Sequence, residues 1–239
     1  MLVHFVSIIT KQLTMKVEIN KLHLKALGCL LLSFVITQTL FAHATVIDLE
    51  KMSKTDAAAL YVKLGYQHIL PLGLDHILFV LSLFLLNPQL KPILWQATAF
   101  TVAHTVTLAL SMYKVINPPP GIVEPMIALS ILYVALENIF SAKLKATRIG
   151  IVFLFGLVHG MGFASALGQL GLPQNSYLTS LLMFNLGVEL GQITVILAAY
   201  FLLAKWFGNK PYYRKYIVIP ISVVISAIAA FWVVQRIFF

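Results

Sequence analysis

Six long apolar stretches follow one another from residue 68 to the end of the chain. Each is near the roughly 20 residues that an α-helix needs to cross a bilayer. Loops that contain proline, asparagine or glycine separate most of them, and such residues interrupt helices. The stretches cover residues 68–86, 92–113, 120–140, 149–167, 177–203 and 216–238. The pattern therefore predicts an all-α polytopic membrane protein, a bundle of six transmembrane helices.

The chain before the first stretch has a different pattern. Three lysines between residues 16 and 25 precede an apolar run over 26–41, and the sequence Ala-His-Ala follows at 42–44. A basic segment, an apolar run and an A-x-A site are typical of a secretory signal peptide that is removed from the mature protein. Met15 is an alternative start, because residues 1–14 add nothing to this pattern.

Cleavage after Ala44 would set the domain organisation. We expect a signal peptide over residues 1–44, a short amphipathic or irregular periplasmic arm over 45–67, and a six-helix transmembrane domain over 68–239. An uncleaved signal anchor is the alternative, and in both cases residue 45 faces the outside. Cleavage would remove Cys29, the single cysteine. The mature chain would then have no disulfide and no thiolate ligand.

Composition narrows the class of protein. The sequence is 60% hydrophobic and 10% charged, with a mean hydropathy of +0.92, whereas soluble domains carry about 25% charged residues. The net charge is +9, but the basic residues lie in short loops and in the N-terminal segment. Because no basic stripe is interleaved with aromatic residues, nucleic acid is excluded as a partner. The lipid bilayer is the partner that this composition implies.

Loop charges predict the orientation. The loops after the first, third and fifth stretches carry eight lysines and arginines, and those after the second and fourth carry Lys114 alone. By the positive-inside rule, the first set of loops is cytoplasmic. We therefore expect a multi-pass protein of the bacterial inner membrane with its mature N-terminus outside.

Carboxylates and imidazoles interrupt the apolar stretches. Each is costly in hydrocarbon unless it has a partner, a proton, an ion or water. Half of the eight acidic residues of the chain are among them. Histidine with carboxylate is a ligand set of divalent transition metals. The interrupting residues are His68, Asp75, His76, His104, Glu124, Glu137, His159 and Glu189.

Counting residues from the loops predicts the depth of each group. Five of them fall between the outer half and the middle of the membrane, namely Asp75, His76, His104, His159 and Glu189. We expect these five to converge on one metal ion. His68, at the outer end of the first stretch and on the helical face of Asp75, is a further candidate metal ligand. Glu124, near the outer end of the third stretch, is another.

Other polar residues have supporting roles in this prediction. Glu137 lies near the inner end of its stretch, where we expect it to pair with Lys143 or Arg148 and to lie outside the site. Neutral polar side chains near the ligands are expected to orient the imidazoles. They are Thr101, Thr105, Asn138, Asn185 and Gln192.

Five blocks of sequence carry a resemblance to a known family. They are H-I-L-P-L-G-L-D-H-I-L-F (68–79), F-T-V-A-H-T-V-T-L-A-L (100–110), V-E-P-M-I-A-L-S-I (123–131), F-G-L-V-H-G-M-G-F-A (155–164) and F-N-L-G-V-E-L-G-Q (184–192). They resemble the HupE/UreJ family, in particular its second, less characterised branch. The better-known branch is associated with nickel or cobalt uptake for hydrogenase and urease. The resemblance implies a membrane helical fold and a permease-like role.

The match to the motifs of the better-known branch is partial. In the first motif, H-P-x-x-G-x-D-H, Gly73, Asp75 and His76 fit, whereas the leading histidine falls on Ile69, with His68 one place earlier. The second motif is F-H-G-x-A-H-G-x-E. There His159 and Gly160 match, but Phe155 stands at the first histidine and Gly162 at the glutamate. The resemblance therefore supports the first-helix site more strongly than it supports the identity of the metal.

Three functions are compatible with this sequence. The first is a permease whose substrate is a divalent transition metal such as nickel, cobalt or zinc. The second is an intramembrane hydrolase, in which three histidines and an aspartate hold zinc with an open position for water, assisted by Ser82, Ser130 or Ser165. The third is an accessory subunit that transports nothing. The resemblance favours the permease over an enzyme, and the sequence leaves homo-oligomerisation open.

Overall fold

Helices make up almost all of the chain that the structure describes. The structure is a computed structural model and describes residues 52–142, 144–170, 172 and 176–239. The helices are α1 Lys54–Ile69, α2 Leu74–Leu86, α3 Leu90–Met112, α4 Pro120–Phe140, α5 Arg148–Leu170, α6 Tyr177–Ala199 and α7 Ile219–Phe238. Within these residues there is no β-strand, so the all-α prediction is confirmed. The predicted signal peptide, its cleavage site, Met15 and Cys29 lie outside the described residues.

The last two helices are longer than their α-helical parts. α6 continues through a π-helical segment, Tyr200–Ala204, into the helical turn Lys205–Phe207. A second π-helical segment, Arg214–Val218, leads into α7. With these extensions, five helices are long and apolar enough to cross a membrane, and α1 with α2 makes a sixth if the two are one bent span. The prediction of a transmembrane helical bundle is therefore confirmed.

The first span is not the single helix over 68–86 that the sequence analysis assumed. α1 ends at Ile69, α2 begins at Leu74, and the two axes differ by 69°. Pro71 has no backbone N–H and disfavours helical geometry in the residue before it, and Leu70 is accordingly extended, with φ −123° and ψ 116°. A Cβ at Gly73 would overlap the carbonyl oxygen of His68. The prediction that His68 and Asp75 share one helical face was therefore wrong.

α1 occupies most of the segment that was expected to form an arm. Its first turn is capped by Ser53, whose hydroxyl oxygen accepts from the backbone N–H of Asp56 at 3.1 Å. It then lies along α6 at very short range. A Cβ on Gly65 would overlap the Phe184 carbonyl oxygen, and one on Gly187 would overlap that of Val62. The expected boundary at residue 67 thus falls inside a helix packed into the bundle.

α3 and α5 approach each other in the same way. A Cβ on Gly156 would lie within 2.5 Å of the Phe100 carbonyl oxygen, and one on Gly160 would overlap the His104 carbonyl oxygen. Small residues permit such backbone contact between membrane helices. Since Gly160 follows His159 directly, this contact sets the histidines of α3 and α5 at the same level of the bundle.

Candidate metal centre

Three imidazoles from three helices converge at the break between α1 and α2. They belong to His68 in the last turn of α1, His76 in the first turn of α2, and His104 in α3. One ring nitrogen from each lies within 4.8 Å of the other two. With metal–nitrogen bonds of about 2.0–2.1 Å, three ligands of one ion lie about 3.4–3.6 Å apart. Three nitrogens at the upper limit of 4.8 Å would therefore each move by less than about 1 Å to close on an ion.

The orientation of His104 leaves one nitrogen free to bind. Asn185 donates its amide N–H to the carbonyl of Leu181 at 2.9 Å, which makes its Oδ1 an acceptor. His104 Nδ1 lies 2.9 Å from that oxygen and donates to it. The proton is then on Nδ1, and Nε2 carries the lone pair that a metal needs. Within the described part of the chain, His104 Nε2 and His68 Nε2 are both buried without a hydrogen-bond partner.

Asp75 fixes His76 in the same manner. One carboxylate oxygen of Asp75 accepts from the backbone N–H of His76 at 2.8 Å and lies 3.1 Å from its ring Nδ1. A carboxylate accepts but does not donate, so Nδ1 carries the proton. A carboxylate behind the imidazole is a common support for a metal-binding histidine. Asp75 therefore orients the His76 imidazole, and one of its two carboxylate oxygens is occupied by that contact.

His159 stands beside His76 as a fourth imidazole. Its Nδ1 is 3.4 Å from His76 Nε2, and its Nε2 is 3.0 Å from the Ser130 hydroxyl. Because Ser130 donates to the carbonyl of Ile127 at 2.7 Å, the Ser130 oxygen accepts from His159 Nε2. Two lone pairs then face each other across 3.4 Å. This separation is close to the edge of a tetrahedral site with bonds of about 2.0–2.1 Å, so a cation between these nitrogens would relieve their repulsion.

A cavity of about 670 Å³ reaches this cluster from one side. His68 and Asp75 form part of its wall, together with Phe163 and Phe184. The rings of Phe163 and His68 have centroids only 3.8 Å apart. Leu72, at the break between the helices, also lines the cavity and is 51% exposed. The cavity therefore offers a path from the outside of the chain to the imidazoles.

Glu189 does not lie among the imidazoles. Its Oε1 accepts from the Thr98 hydroxyl at 2.7 Å, and its Oε2 accepts from that of Thr101. Glu189 follows Asn185 by one helical turn on α6, so its carboxylate meets hydroxyl donors one turn away from His104. Residue counting assigned Glu189 to the correct helix but could not show which neighbour the carboxylate faces.

The two glutamates of α4 also lie elsewhere. Glu124 is exposed and lines a different cavity, of about 620 Å³, and its backbone carbonyl accepts from Arg236 at 3.1 Å. Glu137 is 3.1 Å from Arg148, which confirms its expected pairing with that arginine. The metal-binding role predicted for Glu124 is therefore not supported by its neighbours.

Of the neutral polar residues, Asn185 alone was found to orient an imidazole as expected. Thr105 donates to the carbonyl of Thr101 at 2.7 Å, and Asn138 donates to that of Ser82 at 2.7 Å. The sequence analysis missed Thr98, although its position three residues before Thr101 places both on one helical face. It named Ser130 only as a possible helper of the alternative zinc hydrolase and did not predict its contact with His159. No sequence pattern indicated that contact, because it joins α4 and α5.

Comparison with known proteins agrees with the helical architecture. The family model described as HupE / UreJ protein matches residues 22–236, nearly the whole chain. No curated protein and no solved structure matches. The match spans all seven helices and every candidate ligand. The chain therefore belongs to the HupE/UreJ family.

Proposed function

We propose that this protein binds a divalent transition metal at His68, His76 and His104 and carries it across the membrane. The single observation that supports this most strongly is the pair of buried, unpartnered Nε2 atoms on His68 and His104, within a cluster whose ring nitrogens are already close. A buried nitrogen without a partner is unfavourable. A metal ion supplies that partner for several rings at once. The HupE/UreJ family is associated with nickel and cobalt transport.

The donor set restricts the class of metal. Imidazole suits nickel, cobalt and zinc, whereas magnesium and calcium prefer oxygen ligands. His159 supplies a fourth imidazole through its contact with His76. Neutral imidazoles add no negative charge, so the bound dication is balanced chiefly by Asp75 behind His76. Nickel, cobalt and zinc all satisfy this arrangement, and affinity order alone does not choose among them.

The break between α1 and α2 is where we expect the metal site to change its geometry during transport. In many transporters the substrate site lies where a membrane helix is interrupted. Here His68 and His76 lie on opposite sides of a 69° bend, so a change in the angle between α1 and α2 changes the distance between two ligands. We propose that the ion enters through the cavity at Leu72, binds across this break, and is released when the two helices separate the imidazoles. The inner-membrane location and the mature N-terminus outside belong to this proposal.

Metal binding and uptake test this function together. Purified protein, stripped with a chelator, is titrated with Ni²⁺, Co²⁺ and Zn²⁺, and the same preparation is assayed for uptake in proteoliposomes. We expect about one ion per chain, with affinity about 100-fold weaker and uptake lost in His104→Ala. Thr105→Val is the matched control, because its hydroxyl lies one residue along α3 and donates only to its own backbone. Metal binding without uptake would favour the accessory subunit. Metal binding by His104→Ala equal to that of the wild type would rule out the proposed site.

One contact keeps the hydrolase as a second candidate. The Ser130 hydroxyl lies 3.0 Å from His159 Nε2, a distance at which a histidine activates a serine. Two features weigh against it, since the Ser130 proton is donated to Ile127 and the side chain is fully buried. Ser130→Ala separates the two functions. A permease keeps its metal uptake in that variant, whereas a zinc hydrolase that Ser130 assists loses its hydrolysis of lipid ester or peptide substrates.

A further inference from the structure

The seam between α3 and α6 carries polar contacts at two successive levels. At the first level, His104 donates to Asn185. At the second level, Thr101 donates to Glu189. The second level is one helical turn nearer the start of α3 and the end of α6, and adjacent turns are about 5.4 Å apart. It is therefore separate from the imidazole cluster but built on the same two helices.

Side-chain oxygens surround the second level. The Glu189 carboxylate accepts from Thr98 at 2.7 Å and from Thr101. Gln192 donates its Nε2 to the Thr101 hydroxyl at 3.0 Å, which fixes the orientation of its amide. The other end of that amide, Oε1, is buried and has no hydrogen-bond partner. Gln192 follows Glu189 by about one helical turn, and its amide contacts Thr101, the residue that donates to the Glu189 carboxylate.

The charge of Glu189 has no counterpart nearby. In the described part of the chain, no basic side chain pairs with this carboxylate. Glu189 is half-buried near the middle of the long span Tyr177–Phe207, and Thr98 beside it is exposed. A bare carboxylate at that depth is unfavourable. Two hydroxyl donors reduce the penalty, but they leave one negative charge uncompensated.

We propose that Glu189, Thr98, Thr101 and Gln192 bind a sodium ion. Together they offer five oxygen atoms, two of them on the carboxylate, and oxygen is the donor that hard cations prefer. One carboxylate balances one positive charge. A monovalent ion therefore leaves the site neutral in a low dielectric, whereas a divalent ion leaves an unpaired charge.

The two sites can be coupled because they share α3 and α6. α3 carries both His104 and Thr101, and α6 carries both Asn185 and Glu189, so a displacement of one helix against the other changes both sites. Sodium moving down its gradient through the second site drives the metal through the first. This coupling rests on the proposed metal transport, whereas sodium binding itself does not.

The test is the binding of radioactive sodium to the purified full-length chain at about pH 8, where a carboxylate is ionised. Wild-type protein is expected to bind sodium saturably, at one ion per chain. Glu189→Gln should abolish this binding. Gln192→Met, which removes the unpartnered oxygen but keeps the carboxylate, should weaken it about tenfold. The control is Thr194→Val on the same helix, because that hydroxyl donates only to the Leu190 carbonyl.

His104→Ala separates this inference from the proposed function. It should weaken nickel binding about 100-fold and keep sodium binding, each measured on the monodisperse fraction from size-exclusion chromatography. Saturable sodium binding with no nickel binding in the wild type would sink the proposed function and leave the sodium site standing. No saturable sodium binding in the wild type would overturn the sodium site, and so would wild-type affinity in both Glu189→Gln and Gln192→Met.

Discussion

Two of the polar clusters in the described part of this helical bundle differ in whether a cation of the chain balances them. In the imidazole cluster, His68 and His104 each have a buried ring nitrogen without a partner. In the Glu137–Arg148 cluster, at the C-terminal end of α4, the two opposite charges lie 3.1 Å apart and balance each other, although Glu137 Oε2 and Arg148 Nε make no hydrogen bond within the described residues. Arg148 is buried there and also donates to the Asn138 side chain at 3.4 Å. The imidazole cluster can bind a cation, whereas the Glu137–Arg148 cluster already contains one, the Arg148 side chain.

The comparison separates a binding site from a structural ion pair. Both clusters contain ionisable groups in a membrane span, and sequence alone marks both as unusual. The Glu137–Arg148 cluster joins α4 to α5, and Asn138 extends it to the Ser82 carbonyl of α2. Nearby, Arg214 donates to the Asn138 and Ile139 carbonyls at the end of α4, at 3.0 and 2.9 Å. That end of the bundle is thus fixed by cations of the chain itself, whereas no lysine or arginine of the described residues forms a hydrogen bond with an imidazole of the cluster.

The largest expected effect is on stability, from Arg148→Ala. Removing one partner of a buried ion pair leaves the charge of Glu137 uncompensated, which costs about 3–5 kcal/mol. We expect a large fall in the thermal unfolding temperature of the detergent-solubilised protein. Nickel affinity of the molecules that remain folded should not change. A variant as stable as the wild type would mean that this pair is not structural.

The next effect is on metal affinity, from His104→Ala. Losing one imidazole ligand should weaken nickel binding by about 100-fold or more, equivalent to about 2.7 kcal/mol. Thermal stability without metal should fall by less than in Arg148→Ala, because the substitution removes a neutral ring and its hydrogen bond to Asn185 but leaves no unpaired charge. Isothermal titration and a thermal melt give the two numbers. A stability loss as large as that of Arg148→Ala would erase the distinction between the clusters.

Asn185→Ala should have a smaller effect on the same site. It removes the acceptor that holds the proton of His104 on Nδ1, while leaving every ligand in place. Loss of such a supporting contact commonly weakens metal binding 10- to 100-fold, and we expect the lower end, about tenfold. Thr105→Val is the control, with no expected change. An unaltered affinity in Asn185→Ala would show that the tautomer of His104 is set by something else.

The smallest effect expected within the experimental range is that of pH. An imidazole must be neutral to bind a metal, so protons compete with the ion. Nickel affinity of the wild type should therefore be lower at about pH 5.5 than at about pH 7.5, on either side of the ordinary histidine pKa of about 6.5. Affinity measured at both values checks this. Binding that strengthens on acidification would point to ligands other than imidazole.

Sequence predicted the parts of this structure that depend on one helix at a time. The lengths of the apolar stretches gave the membrane helices, and residue counting placed His104 and His159 at one level. The break after Ile69 was missed because residues 68–86 were counted as one apolar stretch in spite of Pro71 and Gly73, the residues that cause it. The break that the single-helix prediction missed brings His68 and His76 close to each other.

What sequence could not give is the rotation of each helix about its own axis. Depth placed Glu189 near the histidines, but its rotation on α6 turns the carboxylate to Thr98 and Thr101. That rotation is set by glycine contacts such as Gly187 against α1, which depend on the backbones of two helices. Contacts between distant segments, such as Ser130 with His159, are invisible for the same reason.

The central claim is that imidazole nitrogens bind the metal directly. X-ray absorption spectroscopy of the nickel-loaded, purified protein tests it most directly, because rings bound to the metal produce a recognisable scattering pattern. We predict a nickel shell that contains at least the three imidazoles of His68, His76 and His104, and one fewer in His104→Ala. A shell of oxygen ligands alone, or an identical shell in the variant, would contradict the account.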